Sequence, residues 1–292
     1  VRSKKAALIV AASVAVGMGT GGAALGIVGG TPTQRAPSWI GSLQLASGGH
    51  ECGASLVSAT WAVTAKHCTE VDLAQARFGS LDYGSGGELV EISDAVTDPN
   101  GSDVALIQLS TAVTGTPVTI ASSSPEPGTG ITLLGWGQTA PEPGGSGPSS
   151  SLKQLSTEVV DDSKCSGGEI DDNTELCIGS TTDQTACYGD SGGPAVVEGM
   201  LVGATSRSSG SSTCGESDTV YEDLTALRDW ITQTIGSGSE DPPGQTPPSE
   251  DPPSEDPPGQ TPPGEDPWGQ GFPGEDPWGQ TPPGEDPWGQ FP

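Results

Sequence analysis

Short apolar runs, each broken by Gly, Ser, Pro or Asp, recur through the middle of the chain: Ser55–Val57, Trp61–Ala65, Val104–Leu109, Ile131–Gly135, Ala195–Val197, Leu201–Ser206 and Thr219–Tyr221. Their lengths and spacing predict strands, and no helical stretches alternate with them, which argues against a parallel α/β sheet. One helical stripe stands out: Leu224, Leu227, Trp230, Ile231 and Ile235 recur at helix spacing, with Asp223 expected to cap the start and Gly236 to stop it. Pro141 to Ser151 is rich in Gly, Pro and Ser and reads as an exposed loop. The pattern predicts an all-β domain over residues 27–235, closed by one helix.

Both ends of the chain depart from this pattern. Arg2, Lys4 and Lys5 precede an apolar run from Ala6 to Val16 and then small residues up to Gly26. This reads as a secretory signal peptide, 1–26, and the run is too short for the roughly 20 residues of a spanning helix. Cleavage after Ala24 also fits and leaves Leu25-Gly26 as a dipeptide pro-segment. From Gly236 to Pro292 the composition turns to Pro, Gly, Glu, Asp, Gln and Thr, which cannot build a core, so a disordered, extended tail is expected. Within it Gly-Glu-Asp-Pro-Trp-Gly-Gln occurs three times with a ten-residue period, presenting Trp268, Trp278 and Trp288. Such repeats arise readily without function, but they also suit weak multivalent attachment to a cell-envelope polymer or a protein partner.

Charge narrows the partners. The net charge of −28 divides into +3 from the first five residues, −12 from the six Glu-Asp pairs of the tail, and −19 between. An acidic surface repels phosphate backbones, so nucleic acid is not an expected partner. Export also makes the six cysteines an even set in an oxidising compartment, and three disulfides are expected, their pairing open on the residues alone. With two separated histidines and no Cys-x-x-Cys pair, no zinc ligand set is recognisable, and neither metal nor cofactor is expected.

Chemistry concentrates in Ala186-Cys187-Tyr188-Gly189-Asp190-Ser191-Gly192-Gly193-Pro194. Glycines around Ser191 allow a sharp turn and leave the amides of Gly189 and Ser191 unshielded, able to face a developing oxyanion. A serine alcohol needs a base, and the chain has only His50 and His67. His67 ends the apolar run Trp61–Ala65 beside Cys68, a rigid mount. Asp103 opens the buried-looking run Val104–Leu109, where a carboxylate shielded from water can orient an imidazole. A neutral imidazole base implies activity rising with pH through about 6–7.

With Ile27-Val28-Gly29-Gly30, Thr64-Ala65-Lys66-His67-Cys68, Asp103-Val104-Ala105-Leu106 and Gly189-Asp190-Ser191-Gly192-Gly193-Pro194 in that order, the chain from Ile27 to about Ile235 resembles the trypsin/chymotrypsin family of serine endopeptidases. The resemblance implies two six-stranded antiparallel β-barrels and a catalytic set of His67, Asp103 and Ser191, with the oxyanion held by Gly189 and Ser191. It also implies disulfides Cys52–Cys68, Cys165–Cys177 and Cys187–Cys214, protein or peptide substrates, and a secreted, extracellular monomer. Ser206 corresponds to the serine that supports the aspartate and receives substrate backbone.

Thr185 falls at the base of the specificity pocket, with Ser208 and Thr219 as its walls, which implies small or medium apolar residues before the scissile bond. Arg207 stands where the family commonly has Trp, and can favour acidic residues further along the substrate. Ile27 resembles the N-terminus exposed on maturation, whose ammonium pairs with Asp190. His50 can either hold an inactive precursor or serve structure. A catalytically silent binding protein of the same fold, and a protein whose tail is the main functional part, remain the alternatives.

Overall fold

The computed structural model describes residues 26–237. All of these residues belong to one compact unit. The expected leader up to residue 25 and the repeats after 237 lie outside the described residues.

After a two-residue strand β1 (Thr31–Pro32) come β2 (Ile40–Leu45), β3 (His50–Ser58), β4 (Trp61–Ala65), β5 (Leu73–Phe78), β6 (Glu88–Thr97) and β7 (Val104–Leu109). These last six close into an antiparallel barrel in the order β2-β3-β4-β7-β6-β5. Its interior is filled by Leu43, Ala54, Leu56, Ala76, Phe78 and Ile107, all under 2% exposed. Alternation along β6, where Val90 points inward and Glu91 outward, is the period-2 pattern of a strand with one wet face.

The second half is not a six-stranded barrel. Strands β8 (Gly130–Gly135), β9 (Lys153–Glu158), β10 (Glu175–Ile178), β11 (Pro194–Val197), β12 (Met200–Ser208) and β13 (Thr219–Asp223) join β1 in one open seven-stranded sheet, ordered β1-β9-β8-β11-β12-β13-β10. Closure would need a ladder between β9 and β10, and only one bridge, Val159↔Ile178, forms there. The reason is local. Past Glu158 the chain turns into a 3-10 helix, Asp162–Gly168, capped by the Asp161 carboxylate and tied to β10 by the disulfide Cys165–Cys177. The other edge of the sheet is occupied by β1, which pairs with the start of β9.

A shared core joins barrel and sheet: Trp61, Val63, Val104 and Leu106 pack with Leu201, Ala204, Leu224 and Ile231. Helix α1 (Arg228–Ser237) supplies Ile231. It begins later than the stripe suggested. Asp223 ends β13, and its carboxylate accepts from the amide and hydroxyl of Thr225, capping a turn rather than the helix, while Gly236 lies inside the helix.

Candidate active site

Strand register brings His67 and Asp103 together. β4 and β7 pair with Ala65 opposite Val104, and the ladder continues one step as the Lys66 amide donates to the Asp103 carbonyl. The next residue along, His67, then finds the Asp103 side chain. Its amide donates to Oδ1 at 2.9 Å and its Nδ1–H to Oδ2 at 2.7 Å. The same Oδ2 accepts from Ser206 Oγ at 2.7 Å.

The Asp103 hydrogen bond, opposed by partial burial, raises His67 above its ordinary 6.5. Burial pushes the Asp103 carboxyl up, but the hydrogen bonds from His67 and Ser206 outweigh it and leave it below the usual carboxylate value. The couple is therefore neutral imidazole beside carboxylate at alkaline pH, with the protonated imidazole favoured when a proton arrives.

Ser191 is carried by the loop before β11. Tight turns, Asp190 N–H to Cys187 O and Gly193 N–H to Asp190 O, fold the loop, and Ser191 O accepts from Gly53 of the barrel strand β3. Gly192 has φ +70, and a Cβ there would strike the Thr64 hydroxyl and the Gly53 carbonyl, so the loop passes this close only as glycine. Among the described residues Ser191 Oγ and His67 Nε2 have no hydrogen-bond partner, and neither do the amides of Gly189 and Ser191. The groups needed for proton transfer and for holding an oxyanion are uncommitted.

Gly189, with φ +91, is fixed from behind by His50. Because a carbonyl accepts, His50 Nε2 must carry the proton it gives to Gly189 O at 2.9 Å, and Nδ1 then accepts from Ser42 Oγ at 2.7 Å. Burial lowers His50 to about 4 against the raising effect of that bond, so it is neutral. Ser42 carries no sequence signal of its own; only the strand pairing next to His50 reveals it.

Asp190 is fully buried. Its carboxylate accepts from the amides of Gly137 (2.8 Å) and Cys187 (2.9 Å), and burial raises it to about 7 despite both bonds. Ile27 is also buried, packed with Ile131, Leu133 and Ala186, at φ +54, a region a β-branched residue rarely adopts. Val28 bridges Thr185.

Beside Ser191 lies a cavity of about 260 Å³, lined by Tyr188, Ser206, Arg207, Ser208 and Thr219 among others, with no acidic residue in its lining. Tyr188 donates to Ser212 O across its edge, and the disulfide Cys187–Cys214 joins its two sides. Ser208 and Thr219 are opposite each other in the β12–β13 register. Thr185 does not itself line the cavity. It is buried, its hydroxyl within 2.9 Å of Ala186 O and 3.1 Å of Ser180 Oγ, while Ser180 Oγ pairs with Thr219 Oγ1 at 3.0 Å. Arg207 is not a free cation: its guanidinium forms a two-pronged pair with Glu175 and donates to Gly168 O. That neutralises the charge expected to attract acidic substrate residues.

The third disulfide, Cys52–Cys68, ties β3 to the 3-10 turn of His67. Potential ligand atoms of Cys52, His67 and Cys68 lie within 4.8 Å of one another, but both sulfurs are consumed in the disulfide and offer no thiolate to a metal. Among the described residues no helix is long and apolar enough to cross a membrane.

Residues 27–231 match the family model described as Trypsin. The chain is 34% identical over 235 residues to trypsin alpha of Drosophila melanogaster, covering 72% of this chain and 88% of that protein. It is 37% identical to trypsin beta of Drosophila erecta, covering 70% and 87%. Among solved structures it is similar to neuropsin, a serine protease expressed in the limbic system of mouse brain, with a TM-score of 0.62, 26% identity, and coverage of 69% of this chain and 99% of that one.

Proposed function

Because the chain belongs to the trypsin family and is a serine endopeptidase acting on proteins and peptides, we propose that Ser191 is its nucleophile, His67 its general base and acid, and Asp103 the residue that orients His67. The observation that carries the assignment is the hydrogen-bond path His67–Asp103–Ser206, opening on a cavity that Ser191 and Ser206 line together.

In this reading Ser191 Oγ attacks the scissile carbonyl as His67 Nε2 takes its proton. The amides of Gly189 and Ser191 hold the oxyanion, and His67 returns the proton to the leaving amine. Water then repeats the sequence on the acyl-enzyme. A serine-reactive phosphonate should label Ser191 in the native protein, not at all in Ser191→Ala and far more slowly in His67→Ala. Absence of labelling in the native protein overturns the assignment.

Substrate choice follows from the pocket. With no carboxylate in its lining, an Arg or Lys side chain would be desolvated unpaired. Ser208 and Thr219 narrow the space, which favours small or medium apolar residues such as Ala or Val. Thr185 acts through the hydroxyl cluster beneath Thr219 rather than by touching the substrate. Comparing peptides with Ala, Phe and Arg before the scissile bond tests this; preference for Arg overturns it.

Activation follows from Asp190 and Ile27. Among the described residues the buried Asp190 carboxylate has amide partners but no cation, and Ile27 is held at positive φ, a strain on the order of 1–3 kcal/mol. Cutting before Ile27 frees an ammonium that can neutralise Asp190 and relaxes that residue. The protein is further read as exported, monomeric and tethered at the cell envelope through its Trp repeats. A reporter fused to residues 236–292 tests the tether: it should bind envelope fractions better than the same tail with Trp268, Trp278 and Trp288 changed to Ala.

A further inference from the structure

Behind the His67–Asp103 pair lies a second cavity, about 750 Å³, bounded by the 98–103 turn, the 168–175 segment, Arg207 and Glu222. Glu222 sits in the middle of β13, where every residue from Thr219 to Asp223 is buried, and is 1% exposed. Its Oε1 accepts the main-chain N–H of Asp103 at 2.9 Å, whereas its Oε2 is buried with no partner. Leaving a carboxylate oxygen in that condition is costly, and an apolar or hydroxyl side chain would fill a strand interior more easily.

The contact Glu222 does make is with the residue that orients the base. Every hydrogen-bonding group of Asp103 is engaged: its carboxylate by His67 and Ser206, its carbonyl by Lys66, and its amide by Glu222.

We propose that Glu222 is a positioning residue of this protease, fixing the main chain of Asp103 from behind and placing a second carboxylate whose ionisation strengthens His67 as a base. It acts through Asp103 and touches no substrate.

The groups that face Glu222 are few. Asp103 approaches from the start of β7, Glu175 from its paired position on β10, and Arg207 from β12, while Asp98, Glu169 and Asp171 border the same cavity. Arg207 is already paired with Glu175, so it offsets the Glu222 charge only in part. Burial, with Glu175 and Asp103 adding repulsion, accordingly lifts Glu222 to about 7. Below that pH the carboxyl is neutral; above it, a negative charge behind Asp103 stabilises the imidazolium formed as Ser191 loses its proton. The two groups titrate as a coupled pair: ionising Glu222 makes the His67 proton harder to lose, so the activity of the native protein should rise with pH over a broader range than one ionisation spans.

The inference rests on His67 acting as base. Failure of that reading appears as an active His67→Ala, whereas failure of this one leaves His67 essential. Glu222→Gln keeps a carbonyl oxygen for the Asp103 amide but cannot ionise; Glu222→Ala removes both. With rates expressed per phosphonate-titrated site, so that loss of folded protein does not register, Glu222→Gln should lower kcat by about three- to tenfold at nearly unchanged KM. Its pH profile should reduce to a single ionisation with a lower midpoint, and Glu222→Ala should lose more. The His67 Nδ1 proton resonance, followed by NMR in full-length chain carrying Ser191→Ala, should titrate at lower pH when Glu222→Gln is added. A Glu222→Gln profile and His67 titration matching those of the native residue overturn the proposal, as does an equal kcat loss in the Gln and Ala variants without a midpoint shift.

Discussion

The closed barrel and the open sheet contribute unequally prepared halves to one site. On the barrel side, the β4–β7 register already places His67 against Asp103, and two hydrogen bonds lock them. The sheet side carries Ser191 and the amides of Gly189 and Ser191 on a loop beside a pocket walled partly by β12 and β13, held by the disulfide Cys187–Cys214, by His50 and by a buried Asp190 with no cation among the described residues. The His67–Asp103 contact is thus a property of strand pairing, while under the proposed activation the Ser191 loop waits on a charge that no described residue brings to Asp190. On that proposal a switch in the sheet silences the enzyme without disturbing the barrel.

The severest test removes one group from each side. His67→Ala and Ser191→Ala should each lower kcat/KM by on the order of 10⁴ to 10⁶, and the double variant little further, because the two act in one proton transfer. Additive losses would mean that the halves work independently. Next in size is Asp190→Asn in protein cut before Ile27, expected to cost about 10² to 10³, the scale of a lost oxyanion donor. The low-field His67 signal should survive in that variant. Its disappearance would show that the sheet controls the barrel half after all. In the native enzyme kcat/KM should rise with pH through a midpoint above 6.5, since Asp103 raises His67.

How far the sequence could be read follows the same division. Apolar runs ending at His67 and beginning after Asp103 announce strands, and strands carry their side chains to definite places, so the triad candidates could be chosen from the chain. The open sheet could not be, because closure depends on whether β9 and β10 pair beyond a single bridge, a matter settled by the 3-10 turn and disulfide at Cys165. Thr185, found by counting back from Ser191, meets the pocket wall through Ser180 and Thr219, a link that counting cannot show. Arg207 looked free because Glu175 lies 32 residues away. Glu222 left no trace in the sequence, where it follows the run Thr219–Tyr221 beside a second acid, Asp223; it acquires meaning only beside the Asp103 amide.

Stability offers a subtler probe of the switch. Asp190 is raised from 3.8 to about 7, so its contribution is fully present below about pH 4 and is lost as pH climbs through 7. Glu222, also raised to about 7, acts in the same direction. His67, raised above 6.5, likewise loses its contribution as pH rises past its folded value. Asp103 is lowered and opposes them only in acid, near and below 3.8. Uncut protein carrying Ser191→Ala should therefore unfold at lower temperature at pH 8 than at pH 5. The Asp190 share is on the order of a few kcal/mol, or several degrees in Tm for a domain of this size. Asp190→Asn, or cleavage before Ile27, should flatten the slope while leaving the Glu222 share; an unchanged slope would remove Asp190 from the switch.

The smallest effect is reserved for the pocket, where the two sides of the comparison should separate cleanly. Ser208 and Thr219 are cross-strand partners in the lining, Ser208 Oγ bonded to Ser217 Oγ at 2.8 Å and Thr219 Oγ1 to Ser180 Oγ. Changing both to Gly removes two side chains from the slot without touching the β4–β7 register. Peptides with Phe before the scissile bond should then gain on those with Ala by about tenfold in kcat/KM, the scale of modest size discrimination. Peptides with Arg should stay poor, since no carboxylate is created, and the pH midpoint set by His67 should not move. If the midpoint shifts with the pocket, the barrel half is not preformed; if Arg gains as much as Phe, size is not what the two hydroxyl residues control.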